Sequence, residues 1–198
     1  MQLSKKALQS LIFPMYNETK KSLLGGVIMR QILIIGNAGS GKSTFAKALS
    51  QNTGLPLVHL DRLYWKGSWE HVSREEFDAA LQAELEKPQW IIDGNFNRTL
   101  PHRLSCCDTV FFFDLPTWVC LWGITKRVFT NYGKTRSDMG GNCPEGFDRQ
   151  KISLYRNVLM FNRQHRADYY ELLKNATHAK TIVFRSHKQA ADFLKSCK

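Results

Sequence analysis

The chain has 198 residues and a formal net charge of +11, with 43% hydrophobic and 23% charged residues. This length allows one domain with a sizeable core, and no apolar stretch reaches the roughly 18 residues that a membrane-spanning helix needs. The five cysteines form no C-x-x-C pair and no spaced His/Cys set, which argues against a structural zinc site and favours reduced thiols in a cytoplasmic protein.

The positive charge is distributed unevenly. Residues 1–28 carry +3, residues 29–114 carry −1, and residues 115–198 carry +9. A basic C-terminal half suits a lid that closes on polyphosphate or a surface that binds nucleic acid, and it also suits a plain solvated face.

Residues 1–28 are expected to be an N-terminal extension, either disordered or the product of an upstream start site. Their apolar patch Leu11–Phe13 is too short for the core of a signal peptide. Met29 directly precedes the first predicted strand, so we expect the folded domain to span residues 29–198.

The most specific motif is Gly36–Ser43, which reads GNAGSGKS. It matches G-x-x-x-x-G-K-[ST], the phosphate-binding loop (P-loop, or Walker A motif), at every fixed position. The apolar run 31–35 before it predicts a buried strand, and the apolar spacing after it predicts a helix. The glycines do not follow the G-x-G-x-x-G order of dinucleotide-binding loops.

The residue types of this loop predict an ATP site. Glycines let the backbone approach a phosphate closely, and the helix N-terminus attracts negative charge. Lys42 is expected to reach the β- and γ-phosphates, and the Ser43 hydroxyl to bind Mg²⁺. The expected ATP contacts are Gly36, Asn37, Ala38, Gly39, Ser40, Gly41, Lys42, Ser43 and Thr44.

A second predicted strand, residues 57–60, ends at Asp61. An acid at this end of a parallel strand lies where α/β proteins bind ligands. Asp61 can therefore orient an acceptor hydroxyl or act as a general base, or it can be a plain turn residue. The aromatic residues that follow, 64–69, fit either a stacking surface or core packing, and Ser73 with Glu76 predicts a helix with a capping box.

Two further predicted strands, residues 89–94 and 108–114, also end in acids. Asp93 can hold Mg²⁺ through water, and Asp114 matches a loose Walker B pattern, so either can be the metal-linked acid. Arg98 is a candidate for binding a phosphate or carboxylate of the acceptor, with a surface position as the alternative.

A helix from Pro116 to about Asn131 precedes a Gly-rich segment, residues 131–146. A loop of this length is typical of a lid, which we place at about 117–147, although a disordered loop is the alternative. Arg127 and Arg136 are expected to neutralise developing charge when the lid closes, with Lys134 as a further candidate.

The C-terminal region is predicted to be helical over residues 147–175, with a fifth strand at 179–184 and a last helix capped by Ser186. Arg149, Arg156 and Arg163 recur every seven residues and therefore share a helix face. That face can line the closed site, bind nucleic acid or simply be solvated.

Five strands alternating with helices predict an α/β fold, a parallel sheet covered by helices on both faces. At this point the motifs GNAGSGKST, HLD at 59–61, IIDGNFNRTL at 91–100 and FFFDLP at 111–116 resemble the adenylate-kinase-like P-loop kinases. The resemblance implies a three-layer P-loop NTPase fold, a Mg²⁺-linked role for Asp93 and a phosphate-binding role for Arg98. This sequence has one more residue between Gly94 and Arg98 than the D-G-F-P-R-T segment of adenylate kinases.

A closer resemblance is to the DNA topology modulation proteins. It rests on HLD, the Trp-rich loop, DGN and the string R-x-D-M-x-x-x-C-P-E at residues 136–145, and it spans about residues 30–185. The resemblance implies ATP binding and kinase chemistry.

The leading hypothesis is therefore an ATP- and Mg²⁺-dependent phosphotransferase that acts on a small molecule such as a nucleoside or nucleotide. Lys42, Asp61, Arg98, Arg127 and Arg136 are the expected catalytic residues, and Ser43, Asp93 and Asp114 are the candidate metal ligands. The alternative is a nucleotide-gated DNA-binding protein that modulates DNA topology, which the basic C-terminal half would suit.

Overall fold

The structure, a computed structural model, describes residues 29–146 and 149–197. The predicted N-terminal extension, residues 1–28, lies outside the described residues. Within the described part the strands are β1 (Gln31–Gly36), β2 (Leu57–His59), β3 (Trp65–Gly67), β4 (Glu70–His71), β5 (Trp90–Asp93), β6 (Thr109–Phe113) and β7 (Lys180–Phe184).

Five of these strands form one parallel sheet in the order β2-β5-β1-β6-β7. The register is regular: in β1, Leu33 is paired with Ile92 of β5 and with Val110 of β6. The central strand β1 is fully buried from Ile32 to Ile35, as an apolar run without polar alternation predicts for a strand covered on both faces. The predicted α/β fold with a five-stranded parallel sheet is confirmed.

Helices cover both faces of this sheet. They are α1 (Lys42–Thr53), α2 (Leu60–Tyr64), α3 (Arg74–Leu85), α4 (Leu100–Cys106), α5 (Thr117–Thr130), α6 (Arg149–Gln164), α7 (Arg166–Asn175) and α8 (His187–Ser196), with a 3₁₀ turn at Asn97–Thr99. Ser73 and Glu76 form the predicted capping box of α3, and the Ser186 hydroxyl accepts a hydrogen bond from the Gln189 backbone at the start of α8.

Alternate residues of β1 contribute to two separate hydrophobic cores. Leu33 and Ile35 pack with apolar residues of α3, α4 and α7, whereas Ile32 and Ile34 pack with apolar residues of α1, α5 and α8. The period of two in strand side chains divides the strand between two helical layers. The result is a three-layer molecule in which the carboxyl ends of the parallel strands meet along one edge.

The structure differs from the sequence-based predictions at three places. The Trp-rich segment forms an antiparallel hairpin, β3–β4, rather than an open loop. Asp61 is the second residue of the short helix α2, since β2 ends at His59. The predicted helical region 147–175 divides into α6 and α7 at His165. Among the residues described, no helix combines the length and apolar character needed to cross a bilayer.

Candidate active site

The phosphate-binding loop lies at the carboxyl end of β1 and leads into α1. Gly36 has φ +136°, and a Cβ there would lie 2.4 Å from the carbonyl oxygen of Phe113 in β6. A side chain at this position would collide with the neighbouring strand, so the glycine is required for the loop to leave the sheet.

A second close approach joins the loop to α5. A Cβ on Gly39 would lie 2.2 Å from the Cys120 carbonyl oxygen, and a Cβ on Gly123 would lie 2.1 Å from the Gly39 carbonyl oxygen. Since both contacts involve backbone atoms, neither glycine can be replaced without moving the loop away from α5. Gly39 belongs to the glycine-rich loop that the sequence singles out, although the motif does not require glycine there, and the requirement for Gly123 becomes visible only in the structure.

Hydrogen bonds hold the loop in place from two further elements. Asn95, after β5, accepts the Gly36 backbone N–H at 3.0 Å through its side-chain oxygen. The buried Asn37 side chain donates to the Val158 carbonyl oxygen of α6 at 3.1 Å. The segment after β5 and the helix after the lid are thereby tied directly to the phosphate loop.

Lys42 begins α1 and points back into the loop, where its Nζ donates to the Asn37 carbonyl oxygen at 2.8 Å. Burial lowers the pKa of Lys42, and the negative charges of Asp93 and Asp61 oppose this shift. Lys42, Ser43 and Thr44 all line a cavity of about 1190 Å³. The structure thus brings the P-loop lysine and the predicted metal-binding hydroxyl to one opening.

Asp61 and Asp93 enter the same cavity from α2 and β5. Burial raises the pKa of Asp61; Asp93 and Asp138 add to this rise, while Arg136 and Lys42 oppose it. Oδ2 of the buried Asp93 lies 2.9 Å from His59 Nδ1. The other carboxylate oxygen, Oδ1, has no hydrogen-bond partner in the described part of the chain. One unpaired carboxylate oxygen therefore lies at the phosphate loop.

Asp114 is placed differently from Asp93. Its two oxygens accept hydrogen bonds from Arg166 Nε at 2.7 Å and Nη2 at 2.8 Å, and Oδ2 also accepts the Tyr170 hydroxyl at 2.7 Å. The pKa of Asp114 is lowered, because these hydrogen bonds outweigh the opposing effect of burial. Asp114 is not among the cavity-lining residues, so the structure brings Asp93, and not Asp114, to the phosphate loop.

The lid segment between α5 and α6, residues 131–146, contains a carboxylate that is shared by three cations, one each from α5, the lid and α6. Glu145, 2% exposed, lies 3.2 Å from Arg127 Nε and 2.9 Å from Arg136 Nε, and it also forms an ion pair with Lys151. Arg136 additionally forms an ion pair with Asp138 at 2.9 Å. All three cations line the cavity, so the predicted pair Arg127 and Arg136 is brought together and Lys151 joins it.

The lid is in contact with the rest of the site. Its Ser137 hydroxyl accepts a hydrogen bond from Lys47 Nζ of α1 at 2.8 Å. On the other side, the Ser68 backbone N–H of the hairpin donates to the Asn142 carbonyl oxygen at 2.7 Å. The lid therefore bridges α1 and the β3–β4 hairpin over the cavity, whereas Lys134 is exposed and does not line it.

Aromatic residues form one wall of the cavity. Trp65 and Trp69 pack edge to face with ring centroids 5.4 Å apart, and Lys151 Nζ lies 5.0 Å from the Trp69 ring centre. Phe96 and His71 complete this wall. Both Trp69 and Phe96 have positive φ, +60° and +36°, which is unusual for bulky residues and marks a site at which surrounding packing imposes the backbone conformation.

The structure does not bring Arg98 to this cavity. Arg98 forms a bidentate ion pair with Asp78 at the surface, with Nη1–Oδ2 and Nη2–Oδ1 distances of 2.9 and 2.5 Å. It lines a separate small cavity of about 410 Å³. The surface position, which is the alternative named from the sequence, is the one that the structure shows, and the phosphate-binding role of Arg98 stays a prediction. Arg98 belongs to the 3₁₀ turn Asn97–Thr99.

Sequence reasoning missed Arg103, a fully buried arginine on α4. It donates to the backbone carbonyl oxygens of Gly94, Asn95 and Phe96 and, at 3.2 Å, to the Thr99 hydroxyl. Burial lowers the pKa of Arg103 to about 10. This residue fixes the segment after Asp93, and no motif in the sequence distinguishes it from a surface arginine.

Comparisons with known proteins give a short sequence match and several structural similarities. The family described as isopentenyl transferase (IPT) matches residues 29–84 of this chain. The comparison with curated proteins gives no match.

Among solved structures, the chain is similar to a shikimate kinase from Acinetobacter baumannii in complex with shikimate, with 14% identity, a TM-score of 0.49 and coverage of 84% of this chain and 89% of that one. It is also similar to a gluconokinase from Sinorhizobium meliloti 1021, with 14% identity, a TM-score of 0.47 and coverage of 85% and 89%. A shikimate kinase from Bacteroides thetaiotaomicron gives 15% identity, a TM-score of 0.49 and coverage of 84% and 95%. At this level the similarity concerns the overall fold alone.

Proposed function

We propose that this protein is an ATP-dependent phosphotransferase that moves the γ-phosphate to a hydroxyl group of a small molecule. The observation that carries the proposal is the convergence of Lys42, Asp61, Asp93 and the lid cations on one cavity. Phosphoryl transfer needs mainly positioning and electrostatic stabilisation, which this set of residues can supply.

The donor phosphates would lie on the loop Gly36–Ser43. Its backbone N–H groups and the N-terminus of α1 attract negative charge. Burial lowers the pKa of Lys42 in the protein alone, and a bound polyphosphate would favour the charged ammonium form again. Binding of ATP and charging of Lys42 would therefore reinforce each other.

Two side chains fit Mg²⁺ at this loop, Ser43 and Asp93. The unpaired Asp93 Oδ1 offers an oxygen ligand directly or through water, and the ion ordinarily keeps several waters and uses few carboxylates. The described residues contain no cluster of three or more His, Cys, Asp or Glu side chains suited to a metal. When bound, Mg²⁺ would neutralise charge on the β- and γ-phosphates.

Asp61 is suited to the role of general base. In the reaction, the acceptor O–H would give its proton to the Asp61 carboxylate while its oxygen forms a bond to the γ-phosphorus. The bond from that phosphorus to the β,γ-bridging oxygen breaks, and ADP leaves with the electron pair. The raised pKa of Asp61 makes it a better proton acceptor than an ordinary aspartate.

The lid would stabilise the transferring group. Arg127, Arg136 and Lys151 all form ion pairs with Glu145, and Arg136 also pairs with Asp138, which holds their positive charge at the cavity. Cations held in position are effective where negative charge develops in the transition state. Glu145 would act as a positioning residue that holds all three against the transferring phosphoryl group.

The acceptor would lie between Asp61 and the aromatic wall. Trp65 and Trp69 offer large flat surfaces for a planar or apolar part of the molecule. A nucleoside or nucleotide is the acceptor that we expect from the sequence. A sugar or a cyclic hydroxy acid equally carries a hydroxyl group whose proton Asp61 could accept.

A second candidate is transfer of an isopentenyl group, which the match to the isopentenyl transferase family favours. The matched residues 29–84 contain the phosphate loop, Asp61 and the Trp-rich hairpin. The loop could hold the phosphates of an activated isopentenyl donor, and the aromatic wall could accommodate its hydrocarbon chain.

The DNA topology modulation role also stays a proposal of ours. Some basic residues of the C-terminal half line the cavity, among them Arg127, Arg136 and Lys151, whereas others, such as Arg156 and Arg163, are exposed. Duplex DNA affinity that falls with salt and changes with ATP would support this role.

The experiment that tests the phosphotransferase is transfer of label from γ-phosphate-labelled ATP, with Mg²⁺, to pooled nucleosides, nucleotides, sugars and hydroxy acids. The variant Lys42→Met is the inactive comparison. The control is Lys174→Met, which alters an exposed lysine of α7 that does not line the cavity.

We expect label in one acceptor pool with the wild type and with Lys174→Met, and almost none with Lys42→Met. Equal transfer by Lys42→Met would contradict the proposal. Absence of transfer, together with consumption of an isopentenyl diphosphate in a parallel reaction, would favour the second candidate.

A further inference from the structure

The outer face of α5 and α6 carries large apolar side chains that are exposed. Trp118 and Trp122 on α5 are 72% and 68% exposed, and Ile152 and Leu159 on α6 are 71% and 53% exposed. Phe129 of α5 is also 68% exposed. Contiguous exposed apolar side chains of this size on a folded chain mark an interaction surface.

These residues border the seam between the two helices. Positions 118, 122, 125 and 129 recur at helical spacing, and Thr125 faces α6 through a 2.8 Å hydrogen bond between its hydroxyl and that of Tyr155. On α6, positions 152, 155 and 159 share a side in the same way. The two apolar rows therefore lie side by side and form one surface, here called the seam face.

The two helices run antiparallel, which fixes the register across the seam. Asn162 donates to the Thr117 hydroxyl at 2.8 Å at one end, and Thr125 meets Tyr155 further along. Trp118 is thus level with the Leu159–Arg163 turn, Trp122 with Leu159 and the nearby Arg156, and Phe129 with Ile152.

The seam face has an uneven chemistry. Its α5 row is aromatic, whereas its α6 row alternates aliphatic residues with the exposed arginines Arg156 and Arg163. Neither arginine has an acidic partner within 4.0 Å among the residues that the structure describes. Tryptophan and arginine are the residue types most enriched at the energetic centres of protein interfaces.

We propose that the seam face is the interface of a homodimer, in which a second copy of this chain packs with its α5 over α6. A twofold axis parallel to the helices produces this arrangement. It places each aromatic row over the aliphatic–arginine row of the partner, at the register given above. Arg156 and Arg163 then lie against the tryptophan rings of the other copy, an arrangement favourable for cation–π contacts.

The extent of the face is consistent with a dimer. Aromatic side chains bury on the order of 150–250 Å² each, so three of them exposed by about 70% offer roughly 300–500 Å² per copy. The two aliphatic residues and two arginines add to this area. The total approaches the roughly 800 Å² that each partner contributes to an ordinary specific interface.

Nucleic acid fits the seam face less well than a second copy does. Its phosphates would satisfy the arginines, but the aliphatic Ile152 and Leu159 have no stacking role on bases. In the dimer, the tryptophan rings of one copy face the arginines of the other, and the aliphatic residues pack with the aromatic ones.

Dimer formation would restrain, from their outer side, the two helices that line the proposed active site. The dimer proposal does not depend on the proposed phosphotransferase function. Arg127 of α5 and Lys151 of α6 point into the cavity, while the seam face lies on the outer side of the same two helices. A partner packed on this face would hold the helices that flank the lid in a fixed relation.

The test is sedimentation equilibrium of the full chain over a wide range of concentrations. We expect a dimer of twice the 22.8 kDa chain mass. Trp122→Glu and Leu159→Glu, one change on each helix, should each raise the dissociation constant by at least about tenfold. Gln51→Glu, which adds the same charge on the exposed surface of α1, should have no effect.

Circular dichroism verifies that each variant folds, and Leu159→Glu gives the answer if Trp122→Glu does not fold. A wild type that is monomeric at every concentration would overturn the proposal, and so would a dimer that survives both substitutions. Binding of monomeric wild type to phosphatidylglycerol vesicles or duplex DNA, abolished by Trp122→Glu, would overturn it in favour of that partner.

Discussion

Asp93 binds His59 with one carboxylate oxygen and leaves the other without a partner. His59 Nδ1 lies 2.9 Å from Asp93 Oδ2, and both side chains are buried. Within the described residues, Asp93 Oδ1 has no hydrogen bond. Leaving a buried carboxylate oxygen unpaired is unfavourable, and a ligand at the adjacent phosphate loop would relieve this cost.

Replacing this carboxylate should affect magnesium specifically. We expect Asp93→Asn to weaken Mg²⁺-dependent ATP binding or transfer by about 10- to 100-fold, the range seen when groups that orient a metal are removed. The measurement is a Mg²⁺ titration of both quantities. The matched variant Asp114→Asn should loosen the contact with Arg166 and leave the Mg²⁺ dependence unchanged; an equal loss in both variants would contradict this assignment.

The pH dependence of transfer should reflect Asp61. Burial raises the pKa of this carboxyl, and only the ionised form can accept the acceptor proton. As the pH falls, kcat/KM should therefore decrease at a higher pH than an ordinary aspartate would give. Asp61→Asn should be slow and should lack this acidic limb. Retention of the limb in that variant would assign it to another group.

Glu145 should prove essential for lid order because it is shared by three cations. Glu145→Gln leaves Arg127, Arg136 and Lys151 without their common carboxylate. Removing one member of a buried ion-pair set costs about 3–5 kcal/mol of unfolding free energy, and transfer should fall in parallel. Urea unfolding and a steady-state assay measure the two effects.

The conservative variant Glu145→Asp separates the effect of Glu145 on stability from its effect on the position of the cations. Glu145→Asp keeps the charge but shortens its reach, so it should recover most of the stability and only part of kcat. Lys134→Met is the control, since it alters an exposed lid cation that does not line the cavity. A Glu145→Gln variant with normal kcat would contradict the proposed role of Glu145 in positioning the three cations.

The contact between Gly39 and Gly123 should control nucleotide affinity. A Cβ in Gly123→Ala would lie 2.1 Å from the Gly39 carbonyl oxygen, so either the loop or α5 must move. We expect ATP binding to weaken by at least about tenfold, because misplacement of a binding group by about 1 Å has effects of this size. Gly146→Ala is the control, since a Cβ there would meet nothing within 4 Å; equal affinities would contradict the prediction.

The parts of the fold that sequence predicts well are those governed by local rules. The apolar run of β1, the glycine spacing of the phosphate loop and the capping box of α3 each depend on neighbouring residues alone. Together with the alternation of strands and helices they determine a parallel α/β sheet, and the structure has one.

The parts that sequence could not give depend on contacts between distant segments. Asp93 and Asp114 both lie at the carboxyl end of a buried strand, so the sequence pattern alone does not distinguish them. They differ because the side chains of Arg166 and Tyr170, more than 50 residues further along the chain, donate hydrogen bonds to the Asp114 carboxylate. Arg98 lies away from the main cavity for a related reason, since Asp78 on α3 binds that side chain at the surface.

Glu145 and Lys151 were also missed as members of the site. The carboxylate lies within a string that resembles a known family, but its partners come from α5, the lid and α6. Only the tertiary fold shows that these three elements meet at one carboxylate.

The most direct test of the account is calorimetric titration of the protein with ATP in the presence of Mg²⁺. It examines the phosphate loop without requiring the acceptor to be known. We predict saturable binding by the wild type and by Lys174→Met, and at least about tenfold weaker binding by Lys42→Met, since Lys42 contributes a charge-assisted contact to the phosphates. Absence of binding by the wild type, or equal affinity in all three proteins, would contradict the central claim that this loop holds the phosphates of ATP.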